Sequence, residues 1–88
     1  KGDTQPAVVQ TSLDLRGKDV ESARIEIDRF LAQALTTNPP QLEIIHGKGT
    51  GVLRQFVQEY LKKNKYVEEF RYGGYYEGGD GVTMVKLK

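Results

Sequence analysis

The chain has 88 residues, no cysteine, and a formal net charge of +1 at pH 7 with its single histidine neutral. That length supports one domain with one small core, and the missing thiols exclude disulfides and thiolate metal centres. The balanced charge excludes a polycation that holds polyanions by bulk charge, and no apolar run approaches the length of a membrane span, so a cytoplasmic protein with no membrane partner is expected.

Residues 1–10 (KGDTQPAVVQ) mix Gly, Asp, Thr and Pro without a period and are expected to be a flexible linker remnant. The first residue is Lys1 rather than a methionine, so the chain reads as a piece of a longer protein whose other parts would carry any oligomerisation. Leu13 and Leu15 alternate around Asp14, the pattern of a short strand. Arg16-Gly17-Lys18 turns the chain, and Asp19 offers an oxygen to the free N–H groups of a helix start. Val20, Ala23, Ile27, Phe30, Leu31, Ala34 and Leu35 then recur at helical spacing, an amphipathic helix of about four to five turns. Asn38-Pro39-Pro40 ends it, because proline cannot continue a helix and restricts its predecessor.

Gln41 to Ile45 is more continuously apolar, as an internal strand should be. His46-Gly47-Lys48-Gly49-Thr50-Gly51 follows. Thr50 is the expected cap of a second helix carrying the stripe Leu53, Phe56, Val57, Tyr60 and Leu61, and Asn64 is its expected left-handed stop. Tyr66 to Tyr72 and Val82 to Leu87 read as the last two strands. Between them GGYYEGGDG places five glycines in nine residues and is expected to be a long mobile loop.

The predicted order is β-α-β-α-β-β over residues 11–88. Helical crossovers make strands one to three parallel and put both helices on one face of the sheet, with the fourth strand antiparallel. This is a two-layer α/β sandwich with one sheet face open. The carboxyl ends of three parallel strands share an edge, where open α/β sheets usually bind ligands. The loops leaving them are Asp14 to Gly17, His46 to Gly51, and Gly73 to Gly81, and the unusual residues fall there.

G-x-G-x-G running into a helix exposes backbone N–H groups at a positive dipole end, which suits an anion. Lys48 and Arg54 add charge, with Lys18 on the neighbouring loop. The spacing matches neither a Walker A loop nor the dinucleotide fingerprint. The glycines alternatively serve only a tight strand-to-helix turn. His46, beside this loop and one parallel strand from Asp14 and Arg16, is placed to orient water or protonate a leaving oxygen in phosphodiester hydrolysis. It also shares strand parity with Leu42 and Ile44, which leaves an inward-facing structural ring open. Asp14 and Arg16 should face away from the helices and can simply pair with each other. Tyr75 and Tyr76 offer rings for unpaired bases with Arg71 nearby, or else pack on the open sheet face. Glu77 and Asp80 could join Asp14 around a divalent cation, magnesium or manganese, although no ligand spacing demands one.

Leu13-Asp14-Leu15-Arg16-Gly17, Ile44-Ile45-His46-Gly47-Lys48-Gly49-Thr50-Gly51 and Glu77-Gly78-Gly79-Asp80-Gly81, in this order, resemble an Smr (small MutS-related) domain over roughly residues 12–88. The LDLRG form, with arginine where many relatives carry histidine, is most similar to the domain that ends the bacterial MutS paralogue linked to recombination suppression. The resemblance implies a fold like the C-terminal domain of translation initiation factor three, with sheet order 1-2-4-3. It implies a nicking endonuclease of little sequence preference that hydrolyses phosphodiester bonds in DNA, branched or structured DNA included, with RNA cleavage or ribosome binding in some relatives. Asp14, Arg16 and His46 match the family's catalytic positions, and Gly47, Lys48, Gly49, Thr50 and Gly51 its nucleic-acid-contacting loop. The rival expectation is a non-catalytic module for structured nucleic acid or ribosomal RNA. A small-molecule phosphate site is the least favoured, because a chain this short encloses little pocket.

Overall fold

Leu13 and Leu15 are buried and Asp14 between them is exposed. This alternation builds strand β1 (Ser12–Asp14) in the computed structural model, which describes residues 10–88. The expected linker remnant therefore lies outside the described residues except for Gln10. Helix α1 spans Val20–Thr37 and begins as its cap demands, with the Asp19 carboxylate accepting the Ser22 N–H at 2.8 Å. It ends at Asn38, whose left-handed backbone (φ 49°) lets its N–H donate to Ala34 O before the prolines. Ala23, Ile27, Phe30, Leu31 and Ala34 are buried, whereas Leu35, expected in the stripe, sits at its rim and is exposed.

Strand β2 (Leu42–Ile45) leads through the glycine loop to helix α2 (Val52–Lys63). Two expected caps differ here. Gly51, at φ 88°, occupies the N-cap, and the Thr50 hydroxyl only reaches the Val52 N–H at 3.4 Å. A left-handed turn is needed to enter the helix from this loop, and glycine adopts it without a Cβ penalty. At the far end Asn64 is extended (φ −87°, ψ 122°), not left-handed, because the chain enters a strand almost at once. Its amide oxygen instead accepts the Tyr66 N–H at 2.8 Å, an Asx-type turn.

Strands β3 (Val67–Tyr72) and β4 (Val82–Leu87) are joined by the segment expected to be a mobile loop. It is instead two consecutive 3-10 turns, Tyr75–Glu77 and Gly79–Gly81. The Glu77 carboxylate fastens the first, accepting the Gly74 N–H at 2.7 Å and the Arg71 guanidinium at 2.8 and 3.2 Å. Gly78 folds the segment over Val82 so closely that a Cβ would stand 2.6 Å from Val82 Cγ2.

The sheet order is β1-β2-β4-β3. β1 and β2 are parallel, and β4 runs antiparallel to both β2 and β3, so β1, β2 and β3 point the same way. Both helices pack into a single core with Leu13, Leu15, Leu42, Ile44, Val67 and Val85. Pleating directs the alternate residues Asp14, Glu43, Met84 and Arg71 to the opposite, uncovered face. No helix among the described residues is long and apolar enough to cross a membrane.

Candidate functional site

The three loops at the carboxyl ends of β1, β2 and β3 touch one another. Leaving β1, the Arg16 side chain lies over Gly47, where a Cβ would come within 3.2 Å of Arg16 Cγ. Gly81, at the end of the third loop, accepts the N–H groups of His46 (3.1 Å) and Gly47 (2.9 Å) on its carbonyl. A Cβ on Gly81 would meet Lys48 Cγ at 3.4 Å and the Gly47 backbone at 3.6 Å. Glycine at 47 and 81 therefore lets three separate segments close into one surface. Above it a cleft of about 450 Å³ opens between the starts of α1 and α2, walled by Gly17, Lys18, Asp19, His46, Lys48 and Gly51. The first helical bond of α2 runs from Gln55 N–H to Gly51 O, so the N–H groups of Val52, Leu53 and Arg54 precede the helical ladder.

The cations of this edge each face a carboxylate. Arg16 grips Asp14 with two parallel bonds, Nε to Oδ1 at 3.0 Å and Nη2 to Oδ2 at 2.8 Å, while its own backbone N–H donates to Oδ1 at 3.0 Å. The guanidinium bonds hold the Asp14 carboxyl down at about 2, where it is a weak base. Asp80 bridges Lys48 (3.5 Å) and Arg54 (3.1 Å). Lys18 pairs with Glu26 on α1 at 3.1 Å, and Arg71 with Glu77, whose carboxyl is likewise held at about 2 by that bond. Each cation of the expected basic edge thus has a carboxylate partner, with Asp80 shared between Lys48 and Arg54.

His46 is turned away from Asp14. Asp14 is paired in register with Ile45, so its side chain leaves on the uncovered face, while His46 continues the Leu42–Ile44 parity and is buried beneath the helices. Its Nδ1 lies 3.0 Å from Gly47 O and its Nε2 2.8 Å from Thr83 Oγ1. A carbonyl only accepts, so Nδ1 carries the proton, and Nε2 accepts from the Thr83 hydroxyl, whose oxygen accepts from Gln58 Nε2 at 3.1 Å. Every member of this chain is satisfied with a neutral ring. Burial pushes the imidazole below its ordinary range, with the Gly47 carbonyl acting in the opposite sense. Asp14 and His46 thus leave the sheet on opposite faces, because a period-2 pleat sends neighbouring parities to opposite sides.

Thr83 and Gln58 were not legible as site residues, since neither carries a motif and they stand 25 residues apart. Tyr75 and Tyr76 stand almost fully exposed, edge to face with ring centroids 4.8 Å apart, and do not pack on the sheet. The three carboxylates considered as cation ligands do not fit that purpose. Asp14, Glu77 and Asp80 each point at an arginine or lysine, and no group of three His, Asp or Glu side chains among the described residues could hold a metal ion.

The chain matches the Smr domain family over residues 13–88. Among curated relatives, the protein named Endonuclease MutS2 of Exiguobacterium sibiricum is 49% identical over 85 residues, covering 97% of this chain and 11% of that protein. The protein of the same name from Bacillus cytotoxicus is 52% identical over 80 residues, covering 91% and 10% respectively. The chain therefore spans about a tenth of the length of these relatives. The crystal structure of the Smr domain of Thermus thermophilus MutS2 superposes with a TM-score of 0.85 at 44% identity, over 89% of this chain and 98% of that one. YdaL, a stand-alone small MutS-related protein from Escherichia coli, superposes with a TM-score of 0.84 at 27% identity, over 100% of this chain and 79% of that one.

Proposed function

The chain belongs to the Smr domain family, and from that membership we propose that it is a nucleic-acid nicking domain that hydrolyses phosphodiester bonds with little sequence preference. The observation that carries the proposal is the Asp14–Arg16 pair set against the glycine loop at the sheet's carboxyl edge. Guanidinium is a planar fork that fits a carboxylate or a phosphate equally well. A substrate phosphate that takes Arg16 frees Asp14, whose carboxylate then regains ordinary basicity and can accept a proton from water. That water's oxygen attacks phosphorus, one P–O ester bond breaks, and the leaving oxygen takes a proton from solvent. Arg16 and Lys48 offset the charge that develops on the phosphoryl oxygens. His46 acts in this scheme as a positioning residue: its Nδ1–H holds the Gly47 carbonyl and thereby the loop. Contacts to phosphates orient a backbone without reading sequence.

The test is cleavage of supercoiled plasmid and of a structured RNA, each with and without chelator, by the parent chain, Asp14→Asn and Arg16→Ala. Cleavage by the parent chain, lost in Asp14→Asn with binding retained, is the expected result. Binding without cleavage in every form would instead favour a non-catalytic module for structured nucleic acid, ribosomal RNA included.

A further inference from the structure

Tyr75 and Tyr76 take part in none of the ion pairs above and lie outside the core, yet they are the most exposed large apolar side chains among the described residues, at 89% and 94%. Their rings support each other edge to face at 88°, an arrangement that leaves a π-face open. They stand on a fixed base. Glu77 clamps the first 3-10 turn to Gly74 and Arg71, and Gly78 is pressed on Val82. The Gly79 N–H donates to Gly74 O at 3.0 Å, which pins the residue before Tyr75 beside the residue before Asp80. Asp80 is the carboxylate that faces Lys48 and Arg54. The ring pair is therefore tied within a few residues to the cationic edge.

We propose that Tyr75 and Tyr76 form a stacking subsite for an unpaired nucleobase of a strand whose phosphates run along Lys48 and Arg54. The inference rests on the phosphate-directed reading of that edge and names its substrate class: strands with splayed bases, such as single strands, loops and flaps, in preference to continuous duplex. A duplex keeps its π-faces stacked inside, so rings on a rigid turn cannot reach them, whereas an unpaired base of any identity presents a face. The flanking residues Gly73, Gly74, Glu77 and Gly78 confine the apolar area to the two rings, too little for the core of a protein interface.

Binding of the 88-residue chain to three end-labelled strands of equal length tests this: oligo-deoxythymidine, an abasic strand of the same charge, and a blunt duplex. The parent chain should bind oligo-deoxythymidine at least about fivefold more tightly than the abasic strand. In the Tyr75→Ala/Tyr76→Ala variant that advantage should vanish while abasic and duplex binding stay unchanged. Equal binding of the parent to thymidine and abasic strands would overturn the stacking subsite alone, as would an equal loss on all three ligands in the variant. Failure to bind any of the three would overturn the phosphate edge, and the subsite with it.

Discussion

At the scale of single residues, the site is held by ion pairs between neighbouring loops and within them. Asp14 and Arg16 are bonded to each other three times, so they should behave as one unit: Asp14→Asn and Arg16→Ala should each remove most nicking, and the double variant should be little worse than either. His46→Ala works through another face, and its loss should multiply with that of Asp14→Asn in single-turnover assays. Asp80 holds two cations, Lys48 and Arg54. Asp80→Asn should tighten binding to a short duplex and steepen its decline with salt, by up to two further phosphate contacts. Its pairs are solvent-exposed, so folding stability should change by less than about 1 kcal/mol, a combination that titrations at several salt concentrations and a thermal melt can check together.

At the scale of elements, the glycines divide by what surrounds them. Gly49 has open space where a Cβ would stand but a left-handed backbone at φ 22°, so Gly49→Val strains the loop locally; in a variant that still melts cooperatively, nucleic-acid binding should be lost if a phosphate approaches this backbone. Retained binding would remove the phosphate cradle. Gly78, at φ 101° and against Val82, has no such room, and Gly78→Ala should lower the melting temperature without any ligand present. The link from β2 to β4 through His46 and Thr83 predicts a further cost. Thr83 is fully buried, and Thr83→Val leaves both the His46 ring and the Gln58 amide without a partner, which should destabilise by about 1–3 kcal/mol in urea titrations.

At the scale of the whole molecule, pH acts on folding through that same ring. His46 is held below its ordinary value of 6.5, so the unfolded chain binds a proton that the folded chain refuses. Stability is then fully present above pH 6.5 and falls as pH drops below it. Asp14 and Glu77, both held at about 2, contribute stability that is fully present above their ordinary values of 3.8 and 4.5 and is lost only as pH falls below those values. A fall in the urea midpoint between pH 7.5 and 5.5 should therefore belong to His46 and be flattened in His46→Gln. Binding by the whole chain should weaken with salt and discriminate little between unrelated sequences of one secondary structure, and a strong consensus from selection would count against a phosphate-directed edge.

What the sequence determined by itself is local. Asp19 ahead of Val20, the stripes of α1 and α2, the alternation around Asp14 and the prolines after Asn38 each act within a few residues, so element order, helix placement and the three loops of one edge were legible from residue spacing. The strand order came from the resemblance of three motifs, since a β4 lying between β2 and β3 is not encoded by any short pattern. Tertiary structure alone decided the rest. The partners of Arg54 and of His46 lie 26 and 37 residues away, and only the closing of β4 beside β2 brings Asp80 to one and Thr83 to the other. The same pairing selected the inward ring among the two that strand parity left open for His46. Burial beneath α2 is favourable there because Thr83 and Gly47 satisfy both of its nitrogens, a condition met only once the sheet is assembled.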